Sequence, residues 1–255
     1  VTDNRARLAV GPLLALLLAA CSQADAPSDE MEQAAVDMVA AVEGEPAQLA
    51  RGPFAPRNEC AELPGAAQFL HDLNAAVADR DGEALVGLGA EDIKLDFGGG
   101  GGTAELRRRL TEPGASLWTE LMELIELGCA ANSQGGLTLP WYFEQQIPVA
   151  DPFGAFVVTG TDVPLRSGPG ADAPVLARLD WAAVELAPGG AEAEGMRHVR
   201  VVPEPGQGED SAGGPGPQPP TGYVAEEDLR SIVDYRLTAA SRNGKWRIIS
   251  FLAGD

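Results

Sequence analysis

Basic residues are scarce in this chain. Eighteen Lys and Arg stand against 38 Asp and Glu, a formal net charge of -20. The sequence pI is near 4.3. That balance argues against DNA, RNA or a bare anionic lipid surface as a partner. Histidine and cysteine are thinner still, with two and three residues in 255. His71, His198, Cys21, Cys60 and Cys129 are scattered through the chain, which argues against a zinc site of Cys and His. The sequence has no G-x-S-x-G, no H-E-x-x-H and no S-x-x-K in a catalytic context. Calcium-loop spacing is missing as well. No catalytic residue, cofactor ligand or metal ligand is nominated on these grounds. What the chain does have is 45% hydrophobic residues, enough for a real core at this length. Its 31 Gly and 20 Pro predict many turns.

Residues 1–21 read VTDNRARLAVGPLLALLLAAC. Arg5 and Arg7 form a basic front, and an apolar run from Leu8 to Ala20 follows. The run is too short for an ordinary membrane span and reads as an export signal. Its end, Leu18-Ala19-Ala20-Cys21, resembles the lipobox of bacterial lipoproteins. That resemblance implies a signal peptide over 1–20, acylation of Cys21, a polar tether over 21–30 and a membrane partner through the lipid anchor. Ser22 in place of Asp implies the outer membrane, facing the periplasm. An ordinary secretory signal, with Cys21 a bystander, stays open as the alternative. In an oxidising compartment the remaining pair, Cys60 and Cys129, is expected to bond; two buried free thiols are the alternative.

Residues 31–152 read as a helix-rich domain. Met31, Ala35, Met38, Val39 and Val42 recur at helical spacing, as do Ala66, Phe69, Leu70, Leu73 and Val77. A short helical piece is predicted over Glu83–Leu88 and a strand over Ile93–Phe97. The five glycines at 98–102 lack the Lys and Ser/Thr of a phosphate loop and read as a flexible hinge or a turn. Thr103 is expected to cap a helix, Ala104–Leu110. Its Arg107-Arg108-Arg109 is a solvated face, or else a contact for a carboxylate or phosphate. Ser116 opens a stronger helix with Leu117, Trp118, Leu121, Leu124 and Ile125 inward. Glu120, Glu123 and Glu126 form its outer stripe. Trp141 and Tyr142 cover a core edge or line a groove.

From Val157 the segments become short, apolar and β-branched, with frequent turns. Leu165-Arg166-Ser167-Gly168-Pro169, then Pro174-Val175-Leu176, then Gly222-Tyr223-Val224 with Leu229 together resemble the bacterial SH3-like (SH3b) family. The resemblance implies a small β-barrel over 153–230, linked in that family to cell-wall or peptide binding. Residues 203–220 are a Pro/Gly-rich loop inserted in it. Asp180-Trp181 and Met196 depart from the family pattern. Trp181 and Tyr223, with Trp141 and Tyr142, are the candidate ligand surface.

Residues 231–255 alternate around Arg242-Asn243-Gly244-Lys245, a hairpin signal. A lone hairpin is marginal in water, so it joins either the barrel or the N-terminal domain. The run Gly244–Phe251 resembles the last strand of cystatin-like (NTF2-type) α+β domains, which implies the second placement. The expected fold class is therefore α+β, with an SH3-like barrel between the two parts of an N-terminal domain. The expected function is a non-enzymatic, lipid-anchored envelope protein contacting a periplasmic protein or peptidoglycan. It has no cofactor and no nucleic-acid partner. The alternative is a periplasmic enzyme on cell-wall or small-molecule substrates, with an acidic site in the N-terminal domain.

Overall fold

The spacing of apolar residues accounts for the helices. In the computed structural model, which describes residues 50–112, 116–191, 194–203 and 218–254, α1 (Ala66–Ala78) buries Ala66, Phe69, Leu73, Ala76 and Val77 along one stripe. α2 (Gly82–Leu88) starts at Asp81, whose Oδ1 accepts from the backbone N–H of Glu83 and Ala84 at 3.0 and 2.9 Å. α3 (Thr103–Thr111) buries Leu106 and Leu110, and α4 (Leu117–Glu126) buries Leu117, Leu121 and Leu124. The expected signal peptide, Cys21, the tether, the 31–42 pattern and most of the 203–220 loop lie outside the described residues.

Strands follow in chain order. They are β1 (Arg57–Asn58), β2 (Gly89–Lys94), β3 (Gly128–Ala131), β4 (Leu137–Leu139), β5 (Ala155–Val158), β6 (Val163–Arg166) and β7 (Val175–Leu179). Then come β8 (Ala183–Leu186), β9 (Met196–Val201), β10 (Thr221–Ala225), β11 (Leu229–Ser231), β12 (Arg236–Arg242) and β13 (Lys245–Leu252). They form two sheets. The stretch expected to be helix-rich thus contributes four strands of its own.

The first sheet runs β1-β3-β4-β12-β13-β2. The β1/β3 and β13/β2 pairs are parallel and the others antiparallel. The C-terminal hairpin therefore lies inside this sheet, between β4 and β2. Asn243 and Gly244 turn it with φ of 53° and 75°, as a two-residue hairpin loop requires. The helices cover this sheet, and Leu85, Ile93, Leu121, Leu137, Leu237 and Ile248 fill the space between. Trp246 packs its ring 6.0 Å from that of Phe69 and donates its Nε1–H to the Pro64 carbonyl at 2.9 Å. Cys60 and Cys129 are joined in a disulfide with Cα atoms 5.8 Å apart, and both are buried.

The glycine run is an ordered return. Leu95 N–H donates to Gly100 O at 3.0 Å and Gly102 N–H to Ile93 O at 2.8 Å. A Cβ on Gly100 would overlap the Asp96 carboxylate, and one on Gly101 would lie 2.6 Å from Ile93 O. Gly100 and Gly101 are therefore positions where a side chain would displace Asp96 or the Ile93 backbone. Arg109 clasps it: Nη1 donates to Leu95 O at 2.9 Å, and the guanidinium pairs with Asp96 and Glu105. Arg107 pairs with Glu83 at 2.6 Å, and Arg108 with Glu105 and Glu112. The densest basic spot of the chain is thus an ion-paired face.

The second sheet corrects the sequence expectation. The SH3-like barrel over 153–230 is not formed. Its strands lie in the open antiparallel order β11-β5-β8-β9-β10-β6-β7, with β11 and β7 at opposite edges. Closure would need those two edges to meet. Instead β5 lies between β8 and β11, and Arg230 of β11 is held by glutamates of α4. The sheet packs Val158, Leu165, Leu179, Val184, Val199 and Val224 among themselves. A third cluster joins the two sheets through Phe54, Leu127, Trp141, Tyr142, Val157 and Val202. The architecture is α+β with one mixed and one antiparallel sheet.

Candidate functional site

The apolar face of α4 is spent on the core, so its glutamates face the other way. Glu120, Glu123 and Glu126 fall at i, i+3 and i+6, which at 1.5 Å rise per residue makes a row about 9 Å long. Across from them stands the second sheet. Between the two is a cleft of about 600 Å³, a volume typical of ligand sites.

Each wall is placed by identifiable contacts. Arg230, on β11, has a side chain only 8% exposed; it lies 3.2 Å from Glu120 and 3.6 Å from Asp234, and also pairs with Glu123. Trp181 sits in the turn between β7 and β8 with φ of 45°. Its N–H donates to Gly160 O at 2.8 Å and its carbonyl accepts from Phe54 N–H at 3.0 Å, so the indole is carried on a fixed backbone. Glu226 and Glu227 come from the 3-10 turn Glu226–Asp228 that links β10 to β11. Pro56, Leu127 and Leu229 add apolar wall.

The lining carries six carboxylates and one guanidinium. Glu120 and Glu123 are engaged by Arg230, and Glu226 is 3.0 Å from Arg197. Among the described residues Glu126 and Glu227 have no cation beside them. Burial raises the Glu120 carboxyl above the usual range, and the Asp234 charge adds to the effect while Arg230 opposes it. Tyr142, buried beside the same guanidinium, has its phenol pushed up to about 12, chiefly by burial. An acidic, half-enclosed cleft with an aromatic wall can hold a positively charged group.

The four aromatic residues nominated from the sequence are not brought together. Trp181 lines the cleft. Trp141 and Tyr142 are buried in the cluster between the sheets, with the Arg57 guanidinium 4.6 Å from the Trp141 ring centroid. Tyr223 is buried too; its hydroxyl accepts from Ala191 N–H at 2.7 Å and its ring stands 4.8 Å from that of His198. None of these three lines the cleft beside Trp181. The glutamate stripe and Arg230 were missed as site residues. One signal was readable: none of the three glutamates has a Lys or Arg three or four residues away on α4, so their counter-charge had to come from elsewhere.

Among the described residues no group of His, Cys, Asp and Glu is arranged to hold a metal ion. No described helix is long and apolar enough to cross a membrane. Comparison of the chain with protein-family models, with curated proteins and with solved structures returned no match.

Proposed function

We propose that this protein is a non-enzymatic, lipid-anchored binding protein of the bacterial envelope, and that the cleft between α4 and the second sheet is its ligand seat. The cleft carries this reading: a cavity of about 600 Å³ with an aromatic wall, lined by carboxylates that the fold leaves partly unpaired. The lipobox-like Leu18-Ala19-Ala20-Cys21 supports the anchor. The partner is a periplasmic protein or cell-wall component presenting positive charge, since the acidic lining repels an anionic one.

The test is fractionation of cells expressing the full chain and its Cys21→Ala form, with intact-mass analysis and capture of envelope components. The wild type is expected in the membrane fraction with acyl mass. It should bring down a component that a Trp181→Ala chain does not. A soluble, unacylated wild type would overturn the anchor, and identical capture by both chains would overturn the cleft.

One observation favours a second reading, an envelope hydrolase. Burial raises the Glu120 carboxyl, as a general acid requires. Turnover of cell-wall fragments that disappears in Glu120→Gln would establish it.

A further inference from the structure

The cations of α3 each reach a carboxylate. Arg242, Lys245 and Arg247, at the end of the hairpin formed by β12 and β13, form no ion pair among the described residues. Arg242 stands directly opposite Lys245, and Ala240 opposite Arg247. Opposed and alternate residues share a face, so the three side chains leave the sheet on one side, the side away from the buried Trp246. Arg242 and Lys245 are exposed and Arg247 is half-buried. Like charges directly opposite one another cost stability, and the neighbouring segments do not offset that cost. Residues 132–136, the turn beside this end of β12, carry no charge. Glu91 and Asp92 of β2, on the other side of β13, pair with none of the three cations.

We propose that this hairpin end rests on anionic lipid headgroups. The proposal rests on the envelope reading and adds to it which end of the molecule meets the membrane. The net charge of -20 opposes such a surface for the chain as a whole. A charged surface is felt mainly within a Debye length, about 8 Å at physiological ionic strength, and at the hairpin end that distance holds cations with no carboxylate paired to them. Each cation close to an anionic membrane strengthens binding about fivefold. A hairpin end is convex, so it suits a plane of mobile headgroups rather than a ligand that needs a shaped pocket. An orientation follows. β12 runs from Arg236, just past the cleft's Asp234, to Arg242, a length of about 20 Å at about 3.4 Å per residue. With the hairpin end on the headgroups, Asp234 lies at the far end of the strand, away from a surface that would repel the carboxylates of the cleft.

The experiment is co-sedimentation of the full chain, in its Cys21→Ala form, with vesicles of phosphatidylcholine and with vesicles that also contain phosphatidylglycerol. This form carries no acyl chain, so the result does not depend on the anchor. The phosphatidylcholine vesicles measure whatever the apolar residues 8–20 contribute. The anionic vesicles are expected to bind at least about tenfold more tightly at low salt, and the excess should fade as salt is raised. Arg242→Thr with Lys245→Thr should remove most of that excess. It should melt no lower than the parent chain, because it takes away an opposed like-charge pair. Arg51→Asn with Arg80→Asn removes the same charge elsewhere, from cations that also have no ion pair among the described residues, and should keep the excess. A polarity-sensitive thiol dye on Ser241→Cys should shift to the blue on anionic vesicles, and the same dye on Glu227→Cys should not. Equal binding to both vesicles, or an excess that the two double variants lose alike or keep alike, would overturn the proposal. A shift at position 227 without one at 241 would overturn the orientation. If the wild type is acylated and membrane-bound but the anionic excess is absent, the hairpin proposal fails and the anchor stands. If the excess depends on the hairpin and the wild type is unacylated, the anchor fails and the hairpin proposal stands.

Discussion

Replacing Arg230 by methionine tests the junction between the two sheets most directly. The guanidinium is 7% exposed as a residue and bridges β11 to Glu120 and Glu123 of α4 and to Asp234. Removing one partner of a fully buried pair costs roughly 3–5 kcal/mol, because the charge left behind is stranded. Here the stranded carboxylates differ in exposure. The Glu120 side chain is 19% exposed, Asp234 34% and Glu123 46%, so two of the three can rehydrate. The expected loss is therefore smaller, about 2–3 kcal/mol, or a fall in Tm of about 4–12 °C for a unit of this size. The deficit has a defined pH dependence. Glu120 already has its folded pKa raised by burial, and losing Arg230 raises it further. A carboxyl whose folded pKa exceeds its unfolded value penalises the fold above that pKa. The penalty is relieved as the pH falls through it. Thermal melts followed by circular dichroism at pH 7.5 and pH 5 should thus show a smaller deficit at the acid pH. Adding Glu120→Gln to Arg230→Met should restore part of the loss. A change in Tm below about 1 °C, or a deficit that grows on acidification, would refute the reasoning.

Three further outcomes are expected. Replacing both Cys60 and Cys129 by alanine opens a closure of 69 residues and should cost up to about 4 kcal/mol by loop entropy, read from urea unfolding. In the native wild type neither sulfur should react with a thiol probe until a reductant and denaturant are added. Gly100→Ala should lower Tm by several degrees, because its Cβ overlaps the Asp96 carboxylate; Gly170→Ala, whose Cβ meets nothing within 4 Å and whose φ is likewise outside the left-handed region, is the control and should leave Tm nearly unchanged. Glu105 is held at about 2 by hydrogen bonds from Arg108 and then Arg109. Because that folded value lies below the unfolded one, the contribution of these pairs is present above the ordinary glutamate range and is lost as the pH falls toward 2. Carboxyl carbon shifts in an acid NMR titration should show the low midpoint, and Arg109→Gln should raise it.

Helices were legible because each carries its own period. α1 and α4 are spelled out by Phe69, Leu73 and Val77, and by Leu117, Leu121 and Leu124, and Asn243-Gly244 announces the hairpin. β1, β3 and β4 were not legible. They are two to four residues long, and β3 is Gly128-Cys129-Ala130-Ala131, too short and too small to show alternation. The SH3-like motifs sit on real strands: Leu165 and Arg166 in β6, Val175 and Leu176 in β7, Gly222 to Val224 in β10. What failed was the inference from strands to closure. Closure depends on which edges meet, and β5 and Arg230 decide that from outside the motif. The glutamate wall of the cleft was not legible for a related reason. A helical wheel shows that Glu120 and Glu123 leave the core, and says nothing of what arrives opposite them. Their partner Arg230 lies 110 and 107 residues further along the chain.

The position of the last hairpin has a consequence for how the molecule is made. Among the described residues β2 pairs with β13 alone, and β4 reaches β13 through β12. Within the sheet, β2 is therefore held by a strand far along the chain, with Ile248 opposite Gly89 and Ser250 opposite Lys94. A ribosome, or a secretion channel passing the chain N-terminus first, delivers β13 long after β2. Until then the early segments have no finished sheet to dock on, and a chain cut short before residue 245 would lack the strand that joins β2 to β12.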